Sequence, residues 1–175
     1  MQRTIHLIVA VAMLAVVSTG AVASVREPEQ VVQDYIASFK AKNKVMMLSC
    51  LSETFFADYK IQYISKVESY DEQKLKRLLE IYGVDSLDRL KAMSGEAILS
   101  TFLDKPASDT YWRGFDSIDL VVEIERLEVS TNHATVRSWL YSKASLPTKV
   151  ETIYSLTNRG GEWRIDRFQK ETIKP

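Results

Sequence analysis

Near the end of the sequence, Gly160 to Gln169 reads GGEWRIDRFQ. Two glycines open it, and glycine reaches the positive φ angles that tight hairpin turns need. Beyond them the side chains alternate. Trp163, Ile165 and Arg167 fall on one face of an extended strand, Arg164, Asp166 and Phe168 on the other. Two large apolar residues spaced two apart are what a half-buried strand requires, so the stretch reads as the closing arm of a hairpin. Trp163 is thereby assigned to structure rather than to chemistry.

Working back from that arm, a third strand from Val150 to Thr157 feeds the turn Asn158 to Gly161, and a second runs from Ala134 to Tyr141. The segment KASLPTK joins these two as a loop, and STNH turns the second back to a first strand that begins near Asp116. In that first strand Ile118, Leu120, Val122 and Ile124 share a face, with Asp119, Glu123 and Glu125 between them. The apolar phase slips at Glu125 and Arg126, and a bulge there returns Leu127 and Val129 to the core.

Upstream of Asp116 the period is helical. Val31, Val32, Tyr35, Ile36 and Phe39 stripe a helix from Pro28 to Lys40, with proline suited to its first turn. After a polar turn at Lys42 to Lys44, the residues Val45, Met46, Cys50, Leu51, Phe55 and Tyr59 continue as one second helix. Asp71 to Tyr82 forms a third that stops at Gly83, DSLDRL forms a short helical turn, and Ser94 opens a last helix that Pro106 breaks. Helices followed by a run of antiparallel strands make the fold class α+β.

The first residues, MQRTIHLIVAVAMLAVVSTGAVAS, carry one basic residue, an apolar run and the small-residue pattern Ala21-Val22-Ala23. This is the pattern of a secretory signal over residues 1–23, cleaved after Ala23. The apolar run is shorter than the roughly 20 residues that span a bilayer, and Ser24 stands where a lipoprotein carries cysteine. The expectation is a periplasmic or secreted protein without a stable membrane anchor after processing, its single domain covering residues 24–175. Lys and Arg together number 23, as do Asp and Glu, and no basic stripe emerges, so nucleic acid is not an expected partner. Cys50 is the one cysteine, which excludes a disulfide framework.

Few residues offer chemistry. After removal of the signal the one histidine is His133, in a turn that faces solvent, and no second ligand type stands at metal spacing from it. Cys50 lies on the Met46, Met47, Leu51 side of its helix and reads as a buried, inert thiol. No glycine-rich phosphate loop follows a strand. Asp34, Tyr35, Asp58, Asp119 and Glu123 are the types that proton-transfer chemistry uses, yet Asp34 lies off its helix stripe and the strand acids alternate with buried positions. Glu123, Glu125 and Glu128, interleaved with Arg126, read as a solvated sheet face. No catalytic residue, metal ligand or cofactor is assigned.

The opening helices, VVQDYIASFKAKNKVMMLSCLSETF, and the closing G-x-W-x-I strand together resemble the NTF2-like superfamily. This is the cystatin-like cone shared by ketosteroid isomerases, polyketide cyclases and small secreted bacterial domains. The resemblance implies N-terminal helices packed on a strongly curved antiparallel sheet that encloses a conical cavity. The helical middle, about residues 65–109, is longer than compact members of that family use. In such a cone Tyr35, Trp139, Tyr141 and Tyr154 become the candidate ligand-binding residues, aromatic bodies with polar tips that suit a small amphipathic molecule. The function expected is non-catalytic binding of such a molecule or of an envelope protein. The alternatives are an enzyme with isomerase- or cyclase-like proton transfer in the cone, and an interaction module that dimerises through its sheet face.

Overall fold

The computed structural model describes residues 26–105, 120–142 and 149–173, and is α+β, six helices followed by four strands among those residues. Helix α1 (Pro28–Lys40) begins on proline, carries Glu29 in its first turn, and buries Val31, Val32, Tyr35, Ile36 and Phe39. Side-chain caps start each of the next five. Asn43 accepts from the Met46 amide at the head of α2 (Lys44–Ser49), Ser52 from Phe55 at α3 (Glu53–Glu68), and Asp71 from Lys74 at α4 (Glu72–Tyr82). Ser86 accepts from Arg89 at α5 (Leu87–Ala92) and Ser94 from Ala97 at α6 (Gly95–Leu103). Each cap satisfies one of the amides that the first helical turn leaves without a partner. Gly83, at φ 67°, closes α4 in the left-handed conformation expected of it.

The strands β1 (Leu120–Val129), β2 (His133–Ser142), β3 (Lys149–Arg159) and β4 (Glu162–Ile173) form an antiparallel sheet in the order β1-β2-β3-β4. One face is covered by helices. Ala134, Val136, Leu140, Tyr154, Leu156, Trp163 and Ile165 meet α1, Met47, Cys50, Leu51 and the α6 residues Leu99 and Leu103 there. Trp163 is 6% exposed, as its strand position requires. A second core lies among the helices alone, where Val67, Tyr82, Leu90 and Ile98 gather Tyr59, Tyr63, Leu78 and Leu79. The long helical middle thus supplies its own apolar contacts. Within it α6 crosses α3 so closely that a Cβ placed on Gly95 falls 1.9 Å from the Phe56 carbonyl oxygen.

Three expectations need correction. The single helix from Val45 to Tyr59 is two helices, because Cys50 to Ser52 leave the helical path and pair in parallel with β4. Ile165 donates its amide to the Cys50 carbonyl at 2.8 Å, and Ser52 donates to the Ile165 carbonyl at 3.0 Å. The slip in β1 exists, between Arg126 and Glu128, yet Leu127 and Val129 stay 40% and 42% exposed. Val129 pairs with Ala134 and so returns to the helix side, but beyond the reach of a covering helix. In β4 the register shifts at Asp166, so that Ser155 pairs with Arg167 and Tyr154 with Phe168. A one-residue bulge exchanges the faces. Phe168 joins the core side with Trp163 and Ile165, while Arg167 turns outward. Ile118, Asp119, the KASLPTK loop and the signal stretch lie outside the described residues.

Candidate functional site

The four aromatic residues named from the sequence do not share a face. Tyr35 and Tyr154 are 5% and 3% exposed on the helix side, with ring centroids 6.1 Å apart. Phe168 completes the group at 5.9 Å from Tyr35 and 6.0 Å from Tyr154, and Phe55 of α3 stacks on Phe168 at 5.7 Å. Phe39 meets Tyr35 edge-on at 5.1 Å. These rings occupy the space between α1, α3 and the sheet. The row beside them is polar, with Ser138 wholly buried and its hydroxyl without a partner, opposite Thr152, itself opposite Lys170. Lys170 keeps an exposed surface, yet burial of its amine lowers its pKa, and the amine stands 5.6 Å from the Phe168 ring centre.

Trp139 and Tyr141 lie on the opposite, outer face. Residues facing each other across antiparallel strands project to the same side. Trp139 is flanked by Glu123 on β1 and Glu151 on β3, and Arg137 by Glu125 and Ile153. None of these side chains is buried. The Arg137 guanidinium lies 5.2 Å from the Trp139 ring centre, a cation–π distance, and its Nε stands 2.8 Å from the Glu151 carboxylate. That approach is a charge contact without hydrogen-bond alignment, for Nε has no hydrogen-bond partner. The Arg137 fork also lies 3.5 Å from Glu125. Tyr141 donates its phenol to Glu123 at 2.6 Å, and this hydrogen bond is the first cause of its raised pKa. The acids of β1 are solvated on this face, as the alternation requires.

A cleft of about 280 Å³ between α1 and β1 is lined by Gln33, Ile36, Ala37, Lys40, Val122 and Ile124. Another, of about 420 Å³, lies where the β3–β4 turn meets the starts of α3 and α6, with Leu51 and Phe56 as its apolar part. Arg159 and Arg164 enter it, but Arg164 is held by Glu162 at 2.9 Å and Arg159 lies 3.5 Å from Glu53. A groove of about 200 Å³ between α3 and β4 brings Asp58 and Tyr59 beside Asp166 and Phe168. Asp34 is paired with Arg26 at 3.3 Å and accepts from Gln30. Cys50 is fully buried, donates to the Met46 carbonyl and has its pKa raised, first by burial. His133 is exposed at the start of β2. Among the described residues no group of three or more His, Cys, Asp or Glu could hold a metal ion, and no helix is long and apolar enough to cross a membrane.

Sequence reasoning missed Arg137 and Glu151 as companions of Trp139. The alternation of β2 puts Arg137, Trp139 and Tyr141 together, and only the choice of face was hidden. No family model matches the chain, and no curated protein matches it.

Proposed function

We propose that this chain is a non-catalytic binding protein of the NTF2-like kind, exported to the periplasm or beyond after cleavage following Ala23, that holds an envelope protein on the outer face of its sheet. The observation that carries the reading is the position of Trp139, partly open to solvent on a sheet face that no described helix covers, with Arg137 against its ring. Tryptophan and arginine are the residue types that dominate protein–protein contacts, above all where an aromatic centre is rimmed by polar groups. Val121, Tyr141 and Ile153 extend that centre, and Glu123, Glu125 and Glu151 rim it. Strands of about ten residues, four abreast, present roughly 600 Å² of surface, close to the 800 Å² that one partner contributes to a typical complex.

A small amphipathic ligand needs a concave site, and the enclosed side of β3 and β4 is taken up by the Tyr35, Tyr154 and Phe168 rings. Proton-transfer catalysis needs an acid and a phenol together in an apolar recess. The acid–phenol hydrogen bond on the sheet, Glu123 with Tyr141, stands on the solvent face instead.

A photo-crosslinking side chain placed at position 139, in cells that naturally express the protein, tests the reading. A discrete adduct is expected from position 139 and from 153, and none from position 61 on α3, whose isoleucine is 68% exposed on the other side. Adducts equal at all three positions, or absent from 139 and 153, would overturn it. Intact mass of the exported protein tests the processing, the expected species beginning at Ser24.

A further inference from the structure

The outer face is not evenly charged. Toward β1 it presents Glu123, Glu125 and Glu128, with Glu151 across Trp139 on β3 and Arg137 set among them. Toward β4 the charges offset one another, Arg164 and Arg167 against Glu162 and Asp166. The surroundings of Trp139 therefore carry a net negative charge, with the aromatic ring at their centre.

The partners of these carboxylates leave them able to accept more. Glu123 takes one hydrogen bond from Tyr141 at 2.6 Å, and Tyr141 is itself neutral, so no charge is cancelled. Arg137 is shared between Glu151 and Glu125 at 2.8 and 3.5 Å, leaving one of those two charges uncompensated. An ionised carboxylate has about four acceptor positions. A ring face bordered by carboxylates is a favourable setting for an ammonium or guanidinium group, because the ring quadrupole and the charges act in the same direction.

Resting on the reading that a protein docks on this face, we infer that its partner presents a basic segment, and that a lysine or arginine of that segment seats against Trp139 between Glu123 and Glu151. The occupant is chosen by charge complementarity. An acidic segment meets like charges, and an uncharged apolar one leaves Glu123 and the excess carboxylate of the Arg137 group desolvated and unpaired, which is costly. Steering by the acidic side makes capture fast at low salt and weaker as salt screens it.

The test uses the purified mature chain with two defined probes, an end-blocked hexalysine peptide and an end-blocked hexaglutamate peptide, read by the indole N–H resonance of Trp139 in a proton–nitrogen spectrum. Hexalysine is expected to shift that resonance and to bind at least tenfold more tightly than hexaglutamate at physiological salt. Glu123→Gln with Glu151→Gln is expected to weaken hexalysine at least tenfold while the Trp163 indole resonance, a reporter of the buried core, stays in place. Equal affinity for the two peptides, or no loss in the double variant, overturns the inference. The same double variant carried into the crosslinking experiment separates the two readings. Adducts at position 139 that persist in it leave protein docking standing and remove the basic partner, whereas adducts absent from the wild type remove docking itself. A concentration-dependent shift of Trp139 without any peptide, together with twice the chain mass in sedimentation, makes the occupant a second copy and also overturns the inference.

Discussion

Gly95→Ala asks a question of sign. Gly95 is the first residue of α6, and alanine in a helix is ordinarily better than glycine by about 1 kcal/mol. The general expectation is therefore a small gain in stability. The crossing of α6 over α3 reverses it, because the added Cβ falls 1.9 Å from the Phe56 carbonyl oxygen and 2.6 Å from its carbonyl carbon. Real Cβ atoms essentially never approach within 3.0 Å, so α6 must retreat by about 1 Å or α3 must deform. Both contacts are with backbone, which has no rotamer to change. Ile98, Leu99 and Leu103 of α6 are buried in the two cores, so its retreat loosens both at once. Overpacking of this kind costs typically about 1–3 kcal/mol, with backbone clashes at the upper end. A loss of about 3 kcal/mol lowers the melting temperature of a chain this size by roughly 6–12 °C. Urea unfolding followed by far-ultraviolet circular dichroism measures it, with a midpoint shift of about 1–2 M expected. A variant that melts at or above the wild-type temperature would refute the close crossing and the reasoning built on it.

Four further outcomes follow from other parts of the molecule. Trp163→Ala, which empties a 6%-exposed site, should cost about 3–5 kcal/mol, while Trp139→Ala on the open face should cost about 1 kcal/mol or less; paired unfolding curves that rank them the other way would mean the faces are misassigned. Cys50 should react with a thiol reagent only as fast as the core opens, since burial both shields the thiol and raises its pKa, and labelling of native protein at the rate of denatured protein contradicts this. Glu29 is held below its ordinary value of 4.5, first by the hydrogen bond from Arg126, so its contribution is present above that value and is lost as pH falls through the lower folded value. With its carboxylate 30% exposed the effect should stay below about 1 kcal/mol, and acid unfolding of Glu29→Gln that matches wild type in slope removes the claim. Gly83→Ala forces alanine to φ 67° and should cost about 1 kcal/mol by strain alone, since nothing lies within 4 Å of the added carbon; a neutral result means that α4 ends differently.

The ends of α4, the start of α6 and the strand order were legible because they rest on local chemistry. Asp71 and Ser94 accept from the amides three residues on, and the Gly160-Gly161 turn reads from the glycines, at φ 65° and 90°. The break at Cys50 to Ser52 was not, since Leu51 satisfies a helical stripe as well as it satisfies a strand facing Ile165. Ser52 followed by Glu53 was the signal that could have found it, a capping residue before an acid. The bulge at Asp166 did leave a signal, since strict alternation would put Arg167 in the apolar phase and Phe168 in the polar one, a mismatch that one extra residue removes. For the site, β2 offered two faces of comparable character. Ala134, Val136, Ser138 and Leu140 turn inward because the rings of Tyr35, Tyr154 and Phe168 already fill that space, and small residues beneath them leave the room. Trp139 and Tyr141, the larger pair, are displaced to the outside. That choice depends on residues far apart in the chain, and period alone does not contain it.

The pairing of Leu51 with Ile165 also sets an order of events in synthesis. It joins positions more than a hundred residues apart, and such contacts form late because the intervening chain must first be closed into a loop. Until β4 leaves the ribosome, the carbonyl of Cys50 and the amide of Ser52 have no strand to bond, and only the Ser52 cap marks a break in the helical period from Val45 to Tyr59. A nascent chain at that stage is free to run as the longer rod its sequence describes. Arrival of the final strand then breaks the rod, sets α2 and α3 at their angle and covers part of the β4 edge, which is otherwise an open template for aggregation. The last residues made thus determine the shape of some of the first.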